Sequence, residues 1–391
     1  MTSASSHSLK EQDFHIPIAF AFDKNYLIAA GACIYSLLES IAKANKKIRY
    51  TLHALVVGLD EEDKAKLHQI TEPFKELAAL EVKDIEPFLD TIPNPFDEDF
   101  TKRFSKMVLV KYFLADLFPK YSKMVWSDVD VIFCNEFSAD FLNIKEDDEN
   151  YFYGVYDKIY PYEGFFYCNL TCQRKNQFCK KILETMHTQK IDKEPQLTEF
   201  CRSKIAPLKI APLKIEYCIF PHYYSLSEEH LRGVVNAIYH NTIKQALREP
   251  IVIQYDSHPY FQIKPWTYPF GLKADLWLNA LAKTPFMSDW SYLITGGGEI
   301  GSEKWHYYHS IIAYHYYFPL WKTEEQIAHD AFKTFLNHYS LHIHEIPKNA
   351  RRRLFKYCIL IPLKSLISKT LKILGLHGIV KKILLKLLKK S

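Results

Sequence analysis

The sequence predicts an α/β protein in which a sheet of parallel strands is covered by helices. Short apolar runs rich in β-branched and aromatic residues, typical of buried strands, alternate with segments whose apolar residues recur at helical spacing. This alternation continues through the first 135 residues. The composition, with 48% hydrophobic and 24% charged residues among 391, is that of a globular protein long enough for two or three domains.

The predicted elements of this first part follow one another as strand and helix in turn. A polar break, Asp23-Lys24-Asn25, ends the first strand, and acidic residues after Leu59 favour the first turn of a helix through its dipole. Pro119 ends the last helix. In order, we predict strand Ile16–Phe22, helix Ala29–Ala44, strand Ile48–Val57, a helix opening at Leu59, strand Leu80–Ile85, helix Ser105–Phe118 and strand Lys123–Ser127.

The pattern changes after residue 150. We predict strands at Tyr151–Tyr156 and Phe165–Leu170, a helix at Gln173–Gln189 and a short strand at Ile251–Tyr255. The chain is therefore divided into an α/β domain over 1–270, a smaller helical region over 271–350 and a tail over 351–391.

The tail differs from the body in charge. Arg351 to Ser391 contains twelve Lys or Arg and no Asp or Glu, which leaves 38 basic and 45 acidic residues, a net charge of −7, in the first 350. An acidic body gives no support for a nucleic-acid groove. In the tail, leucine and isoleucine alternate with lysine at roughly helical spacing, which is typical of a helix lying on an anionic membrane surface. The alternative is a helix packed against the body or a partner.

Three further features predict the compartment. The eight cysteines have neither a Cys-x-x-Cys pair nor zinc spacing, so we expect reduced, mostly buried thiols. The polar segment Met1 to His15 lacks the apolar core of a secretory signal. No run of about 18 apolar residues is free of charge, so we expect no transmembrane helix. We predict a cytoplasmic protein, peripheral on the inner face of the cytoplasmic membrane.

The most informative motif is an Asp-x-Asp pair. Asp128 and Asp130 interrupt a run of strand-forming residues from Val125 to Phe133. Burying an unpaired charge costs free energy, so the presence of two carboxylates in an apolar run calls for an explanation. At the end of a parallel strand such a pair can hold a hard divalent cation, which in turn can hold a diphosphate of a nucleotide-linked donor. The alternative is that the aspartates start a turn or cap a helix.

The order of motifs resembles glycosyltransferase family 8, the retaining enzymes that include bacterial lipopolysaccharide galactosyl- and glucosyltransferases. The resemblance covers roughly Ile16 to Trp266, and a basic tail is also usual in the bacterial members. It implies a GT-A-like, Rossmann-type mixed sheet flanked by helices, with the nucleotide-sugar-binding catalytic domain in 1–270.

The resemblance also implies a donor site. In Ala21-Phe22-Asp23-Lys24-Asn25-Tyr26, the residues Ala21, Asp23 and Asn25 match those that hold uracil and ribose, although Asp23 could instead be a helix cap. Lys111 matches an arginine that faces the diphosphate. Lysine supplies the charge there without the bidentate fork of arginine.

The metal ligands follow from the same comparison. Asp128 and Asp130 match the two metal-binding aspartates, and the third family ligand is a histidine six residues before the lysine of Lys-Pro-Trp. His258 has that spacing to Lys264, while an alternative alignment places Gln254 there. Two carboxylates and an imidazole suit manganese (Mn2+), with magnesium (Mg2+) as the alternative.

The resemblance also implies further donor-binding residues before and after the Asp-x-Asp pair. Ser127, Lys264 and Trp266 would complete the donor site, with Lys264 neutralising the diphosphate leaving group. Two departures concern the sugar. Tyr162, followed by Glu163, stands where the family has an asparagine that touches it. Gln196 matches the residue at the reacting face of the sugar, without the flanking acids of the family, for which Glu194 or Glu199 could compensate.

These observations predict a metal-dependent hexosyltransferase. The donor would be UDP-galactose or UDP-glucose, and the acceptor a lipopolysaccharide or lipid-linked oligosaccharide brought near by the tail. Retention is implied by the resemblance alone. Two alternatives are a metal-dependent phosphotransferase or hydrolase using the same aspartates, and a UDP-binding membrane-surface scaffold that has lost its activity through the changes at Tyr162 and Gln196.

Overall fold

The computed structural model describes residues 14–44, 46–96, 105–145, 147–156, 161–188, 209–255, 264–266 and 272–294. The predicted tail and most of the predicted helical region lie outside the described residues. The chain divides into two compact units. The first comprises Met1–Tyr223, Ser227–Lys264 and Asp275–Asp289, and the second comprises Tyr224–Leu226, Pro265–Ala274 and Trp290–Ser391.

A mixed sheet forms the centre of the first unit, which confirms the predicted α/β fold class. The strands are β1 Phe14–Asp23, β2 Ile48–Val57, β3 Ala78–Asp84, β4 Lys123–Ser127, β5 Val131–Phe133, β6 Phe152–Tyr156, β7 Pro161–Asn169, β8 Ile210–Pro212 and β9 Val252–Gln254. Seven of them join in the order β3-β2-β1-β4-β7-β6-β8, and β5 pairs with β9 in a separate two-stranded sheet. Strands β1 to β4 are parallel, whereas β7 runs antiparallel to both β4 and β6.

The helices alternate with the first strands as the sequence predicts. They are α1 Leu27–Ala44, α2 Glu61–Thr71, α3 Glu86–Thr91, α4 Leu114–Leu117, α5 Ser138–Leu142, α6 Leu170–Lys175, α7 Phe178–Thr188, α8 Glu228–Val234, α9 Ile243–Arg248, α10 Ala274–Leu281 and α11 Met287–Ile294. Helix α2 begins with a capping box, in which Asp60 and Asp63 accept hydrogen bonds from each other's backbone N–H groups at 2.9 and 3.2 Å.

Two predicted helices differ in the structure. The segment Ser105–Phe118 is not one α-helix but a 3-10 helix, Lys106–Tyr112, followed by α4. The segment Gln173–Gln189 is divided into α6 and α7, because Gln177 adopts the left-handed conformation with φ 54° and interrupts the helical ladder.

Helix α1 is the long apolar helix of the core. The sequence predicts no transmembrane helix. By length and composition alone, Lys24–Ala44 could nevertheless cross a membrane, but 67% of its most apolar window is buried inside the protein. Its Gly31 lies against the ring of Phe286, which a Cβ atom at that position would overlap. We therefore interpret α1 as a core helix, which contacts β1, β5 and α2.

Candidate active site

The carboxyl ends of β1 and β4 meet at one edge of the sheet. The two strands are parallel neighbours in register, with Ile18 beside Val125 and Ala19 beside Trp126. The polar residues that follow each strand therefore come together at this edge. In open α/β sheets, this is the edge where ligands bind.

Asp128 is held from two sides. The indole Nε1 of Trp126 donates a hydrogen bond to its Oδ1 at 2.9 Å, and its backbone N donates to the carbonyl of Gly164 on β7 at 2.7 Å. The Cys33 thiol of α1 lies 3.8 Å from the Asp128 carbonyl oxygen. The aspartate segment is therefore anchored to β4, β7 and α1, and the Asp128 carboxylate is oriented before any ligand arrives.

Asp130 forms an ion pair with Lys264 in a largely buried setting. The side chains of Lys264 and Asp130 are 14% and 15% exposed, and the ammonium contacts Oδ2 and also donates to the Tyr255 carbonyl. The other carboxylate oxygen, Oδ1, is buried and has no hydrogen-bond partner among the described residues. A buried anionic oxygen without a partner costs free energy, which a divalent cation would recover.

Tyr26 lies within electrostatic range of the same groups. Burial of its hydroxyl raises the pKa of Tyr26, and the negative charges of Asp130, Asp128 and Asp23 raise it further, while Lys264 lowers it. Tyr26 was not among the predicted site residues. Its position next to the polar break Asp23-Lys24-Asn25, which follows a buried strand, is the sequence signal that could have found it.

Asp23 acts as a helix cap, the alternative that the sequence left open. Its Oδ1 accepts a hydrogen bond from the Asn25 backbone N at 3.0 Å, and its Oδ2 accepts from the Asn25 amide at 3.3 Å. Lys24 links the short 3-10 helix Lys24–Tyr26 to the start of α2, because its ammonium lies 2.8 Å from Oδ2 of Asp60 and 2.9 Å from Oδ2 of Asp63. Ala21 is half-buried on β1, and Asn25 is exposed. The loop is thus fixed in place, with Asn25 accessible at the edge of the sheet.

Lys111 and Ser127 are both directed into the protein. Lys111 is 1% exposed, and its Nζ lies 2.9 Å from Oε2 of Glu163. The same oxygen accepts a hydrogen bond from the Tyr112 hydroxyl at 2.7 Å. Ser127 is fully buried, and its hydroxyl donates to the Asp128 carbonyl at 2.8 Å. Their proposed contacts with the donor remain predictions.

Gln254 lies beside the aspartate segment at the end of β9. It pairs with Val131, the residue after Asp130, and its Oε1 accepts a hydrogen bond from the Cys218 thiol at 3.3 Å. Its amide also lies so close to Gly164 that a Cβ atom there would overlap it. His258, the other candidate for the third ligand, lies outside the described residues.

The described part of the chain contains no group of three His, Cys, Asp or Glu side chains arranged to hold a metal ion. It does offer the two carboxylates of Asp128 and Asp130, one of them with an unpartnered buried oxygen. Carboxylate oxygens are the donors that Mg2+ and Mn2+ prefer. These residues therefore fit a hard divalent cation.

Gln196, a further predicted site residue, lies outside the described residues, as do Glu194 and Glu199. Trp266 belongs to the second unit, where its carbonyl accepts a hydrogen bond from the Trp290 indole at 3.0 Å. The sequence also missed Glu163 as the partner of Lys111, because no local pattern signals a pairing across 52 positions.

Comparisons with known proteins identify the family and the fold. A family model for Glycosyl transferase family 8 matches residues 17–269, more than half of the chain. Among curated proteins, none matches. The apo structure of the bifunctional glycosyltransferase WbbM superposes with a TM-score of 0.58 at 16% identity, covering 72% of this chain and 52% of that one. This chain thus spans about half the length of WbbM.

A second solved structure is similar over nearly its whole length. The galactosyltransferase LgtC, in complex with donor and acceptor sugar analogues, superposes with a TM-score of 0.51 at 15% identity, covering 69% of this chain and 96% of LgtC. At such identities the likeness shows a shared fold.

Proposed function

The chain belongs to glycosyltransferase family 8, and from this we propose that it transfers galactose or glucose from a UDP-sugar to a lipopolysaccharide or lipid-linked oligosaccharide. Membership makes the chain a glycosyltransferase. The donor, the metal and the acceptor are our proposal, as is retention at the anomeric carbon. The LgtC structure, with its donor and acceptor sugar analogues, supports a sugar donor and a glycan acceptor for this chain.

The observation that carries the proposal is the pair Asp128 and Asp130 at the end of β4. One carboxylate is oriented by the Trp126 indole, and the other has a buried, unpartnered oxygen beside the ammonium of Lys264. Two fixed carboxylates with an adjacent cationic side chain suit a bound diphosphate whose charges are shared between a divalent cation and a lysine.

The residues of this edge would act together on the leaving group. A divalent cation held by Asp128 and Asp130 supplies Lewis-acid stabilisation of the charge that develops on the departing diphosphate. Lys264 adds a positive charge at the same place, and Asn25, exposed in the capped loop, can hydrogen-bond the nucleoside. The acceptor hydroxyl would form the new bond to the anomeric carbon as the bond to UDP breaks, and its proton would pass to the departing diphosphate, with Gln196 proposed at the reacting face of the sugar.

The cellular setting is also part of the proposal. Twelve basic residues in the tail, with no acidic ones, favour attachment to an anionic membrane surface. A lipid-linked acceptor is presented at such a surface, so the tail would raise the local concentration of enzyme around its substrate. We propose that the protein works on the cytoplasmic face of that membrane.

A screen of UDP-sugars tests the proposal. The purified chain is incubated with each UDP-sugar and Mn2+, with and without crude lipopolysaccharide, and UDP release and hexose incorporation are measured. We expect both with UDP-galactose or UDP-glucose, and their loss with a chelator. UDP binding without turnover would instead indicate the scaffold, and phosphate release without incorporation would indicate the hydrolase.

Asp128→Asn should lower transfer by at least about 100-fold, because the neutral amide weakens cation binding while the indole contact survives. The matched control is Asp90→Asn, an exposed aspartate on α3, which should keep wild-type activity. Circular dichroism checks that both variants are folded. Full activity of a folded Asp128→Asn protein would remove the metal role.

A further inference from the structure

The ammonium of Lys264 contacts one of the two oxygens of the Asp130 carboxylate, the residue that would share a divalent cation with Asp128. It contacts Oδ2 of Asp130 and the carbonyl of Tyr255, and the Tyr255 backbone N in turn donates to the Asp130 carbonyl at 2.9 Å. Both charged side chains are largely buried. The protein by itself therefore carries its own counter-ion for this carboxylate.

The second oxygen of the same carboxylate is the one that lacks a partner. A cation could approach Asp130 at the buried Oδ1 while Lys264 stays on Oδ2. Three positive charges would then share one carboxylate in a site of low dielectric constant, where like charges repel far more strongly than in water. A divalent cation alone should therefore bind weakly as long as Lys264 stays in place.

The charge balance changes when a nucleotide diphosphate arrives. Asp128, Asp130 and Lys264 together carry one negative charge. A divalent cation alone would turn this into one positive charge, whereas a cation and a UDP-sugar, with its two negative charges, leave the sum unchanged. Lysine is a compact charge on a flexible stem, so its ammonium can move from Asp130 to the diphosphate without a change of the backbone.

We propose that Lys264 is an exchangeable counter-ion of Asp130, which yields the carboxylate to the cation only when the nucleotide diphosphate is bound. This inference rests on the proposed function and adds to it that the binding of the cation depends on the binding of the nucleotide. Cation and nucleotide bind cooperatively, and the ammonium passes from the carboxylate to the diphosphate. By linkage, the cation must raise the affinity for UDP by the same factor by which UDP raises the affinity for the cation.

Calorimetric titration with Mn2+ tests this proposal without measuring activity. In the wild-type chain we expect UDP to tighten Mn2+ binding by about 5- to 150-fold, the usual range of coupling between two sites. In Lys264→Met, Mn2+ alone should bind at least about fivefold more tightly than to wild type, since the competing charge is gone, and UDP alone should bind more weakly. Lys264→Arg keeps the charge and should restore weak binding of Mn2+ alone.

Lys24→Met is the matched control. Lys24 is another lysine near this edge of the sheet, directly after β1. It pairs with Asp60 and Asp63 at the start of α2 and not with Asp130. Its removal should leave the affinity for Mn2+ unchanged. If Lys24→Met gained as much affinity for Mn2+ as Lys264→Met, the gain would be a general effect of charge, and the proposal would be overturned.

The outcomes distinguish a failure of the counter-ion role of Lys264 from a failure of the proposed function. Unchanged or weaker binding of Mn2+ alone by Lys264→Met, while UDP still tightens Mn2+ binding to wild type, overturns the counter-ion role and leaves the proposed function intact. No Mn2+ binding by any form, with or without UDP, overturns both. If Lys264→Met does not fold, Lys264→Gln, which can still donate to Asp130 and Tyr255, gives the same test.

Discussion

Lys111 is a predicted site residue whose surroundings the sequence does not indicate. The resemblance implies that its charge faces the diphosphate of the donor, and in the structure the side chain is buried to 1% exposure against Glu163. A buried ion pair contributes little net stability, because desolvation offsets the attraction. Removing only one partner is different, since the other is left as an uncompensated buried charge.

We therefore predict that Glu163→Gln destabilises the protein by about 3 kcal/mol, the lower end of the range for breaking a buried pair. The Lys111 ammonium would then lose the negative charge of Glu163 that lies 2.9 Å from it. Urea unfolding at pH 7, with the free energy of unfolding extrapolated to zero urea, measures the change.

The double variant Lys111→Met/Glu163→Gln is the control for this prediction. It removes both charges and keeps the side-chain volumes similar, so its stability should return to within about 1 kcal/mol of wild type. A Glu163→Gln protein as stable as the wild type would show that the pair is solvated in solution.

Individual site residues can be predicted from the sequence where their neighbours in the chain mark them. Asp128 and Asp130 are visible because carboxylates interrupt an apolar run, and Asp23 because it follows a strand. The pairing of Glu163 with Lys111 is not visible, because it depends on which strand lies beside β4. The same holds for Lys264, whose contact with Asp130 spans 134 positions.

At the scale of elements, β4, β7 and β9 meet at one glycine. Gly164 accepts the backbone hydrogen bond of Asp128 at 2.7 Å, and its Cα lies against the side-chain amide of Gln254. A Cβ atom at this position would overlap the Gln254 amide, so any other residue here requires that side chain to move. The aspartate segment is thus positioned by β7 as much as by the strand that carries it.

Gly164→Ala should therefore destabilise the protein by about 1–3 kcal/mol, the usual cost of overpacking, because the Gln254 amide or the aspartate segment must move. Hexose transfer should fall with it. Thermal unfolding and the transfer assay measure both effects.

Gly233→Ala on α8 is the matched control, since a Cβ atom there meets nothing within 4 Å. It should leave transfer unchanged and stabilise the helix by about 0.5–1 kcal/mol. Equal stability and equal transfer activity of the two variants would contradict the close contact between Gly164 and the Gln254 amide.

The elements themselves are predicted where a pattern is long and regular, as in β1, β2 and α1. The two wrong helices fail for local reasons. Gln177 takes a left-handed conformation that a non-glycine residue rarely adopts, so nothing in its identity indicates the break. The segment Lys106–Tyr112 winds as a 3-10 helix, and its apolar spacing resembles that of an α-helix.

At the scale of the whole molecule, the sequence predicts the class of the sheet better than its order. Alternating strands and helices indicate parallel strands, which β1 to β4 are. The insertion of β7 between β4 and β6 depends on tertiary pairing that no local pattern carries. The family match over 17–269 agrees with the resemblance read from Ile16 to Trp266, which rests on several motifs in order and not on one strand.

The uneven charge of the chain predicts that the tail attaches the protein to an anionic membrane. The first 350 residues carry a net charge of −7, so an anionic membrane should repel them, while the twelve basic residues that follow should be attracted. Each lysine near such a surface contributes about 1 kcal/mol, an attraction that salt screens. Deletion of 351–391 should therefore abolish flotation with vesicles containing phosphatidylglycerol and leave turnover on a soluble acceptor within about twofold.

Vesicles of phosphatidylcholine alone are the control for charge, and the full chain should bind them much more weakly. Raising the salt concentration from about 0.1 M to 1 M shortens the screening length from about 10 Å to 3 Å, so binding of the full chain to anionic vesicles should fall steeply. Equal flotation of the full and shortened chains would mean that the basic segment packs against protein, and the body would then have to find its acceptor without a membrane anchor in this segment.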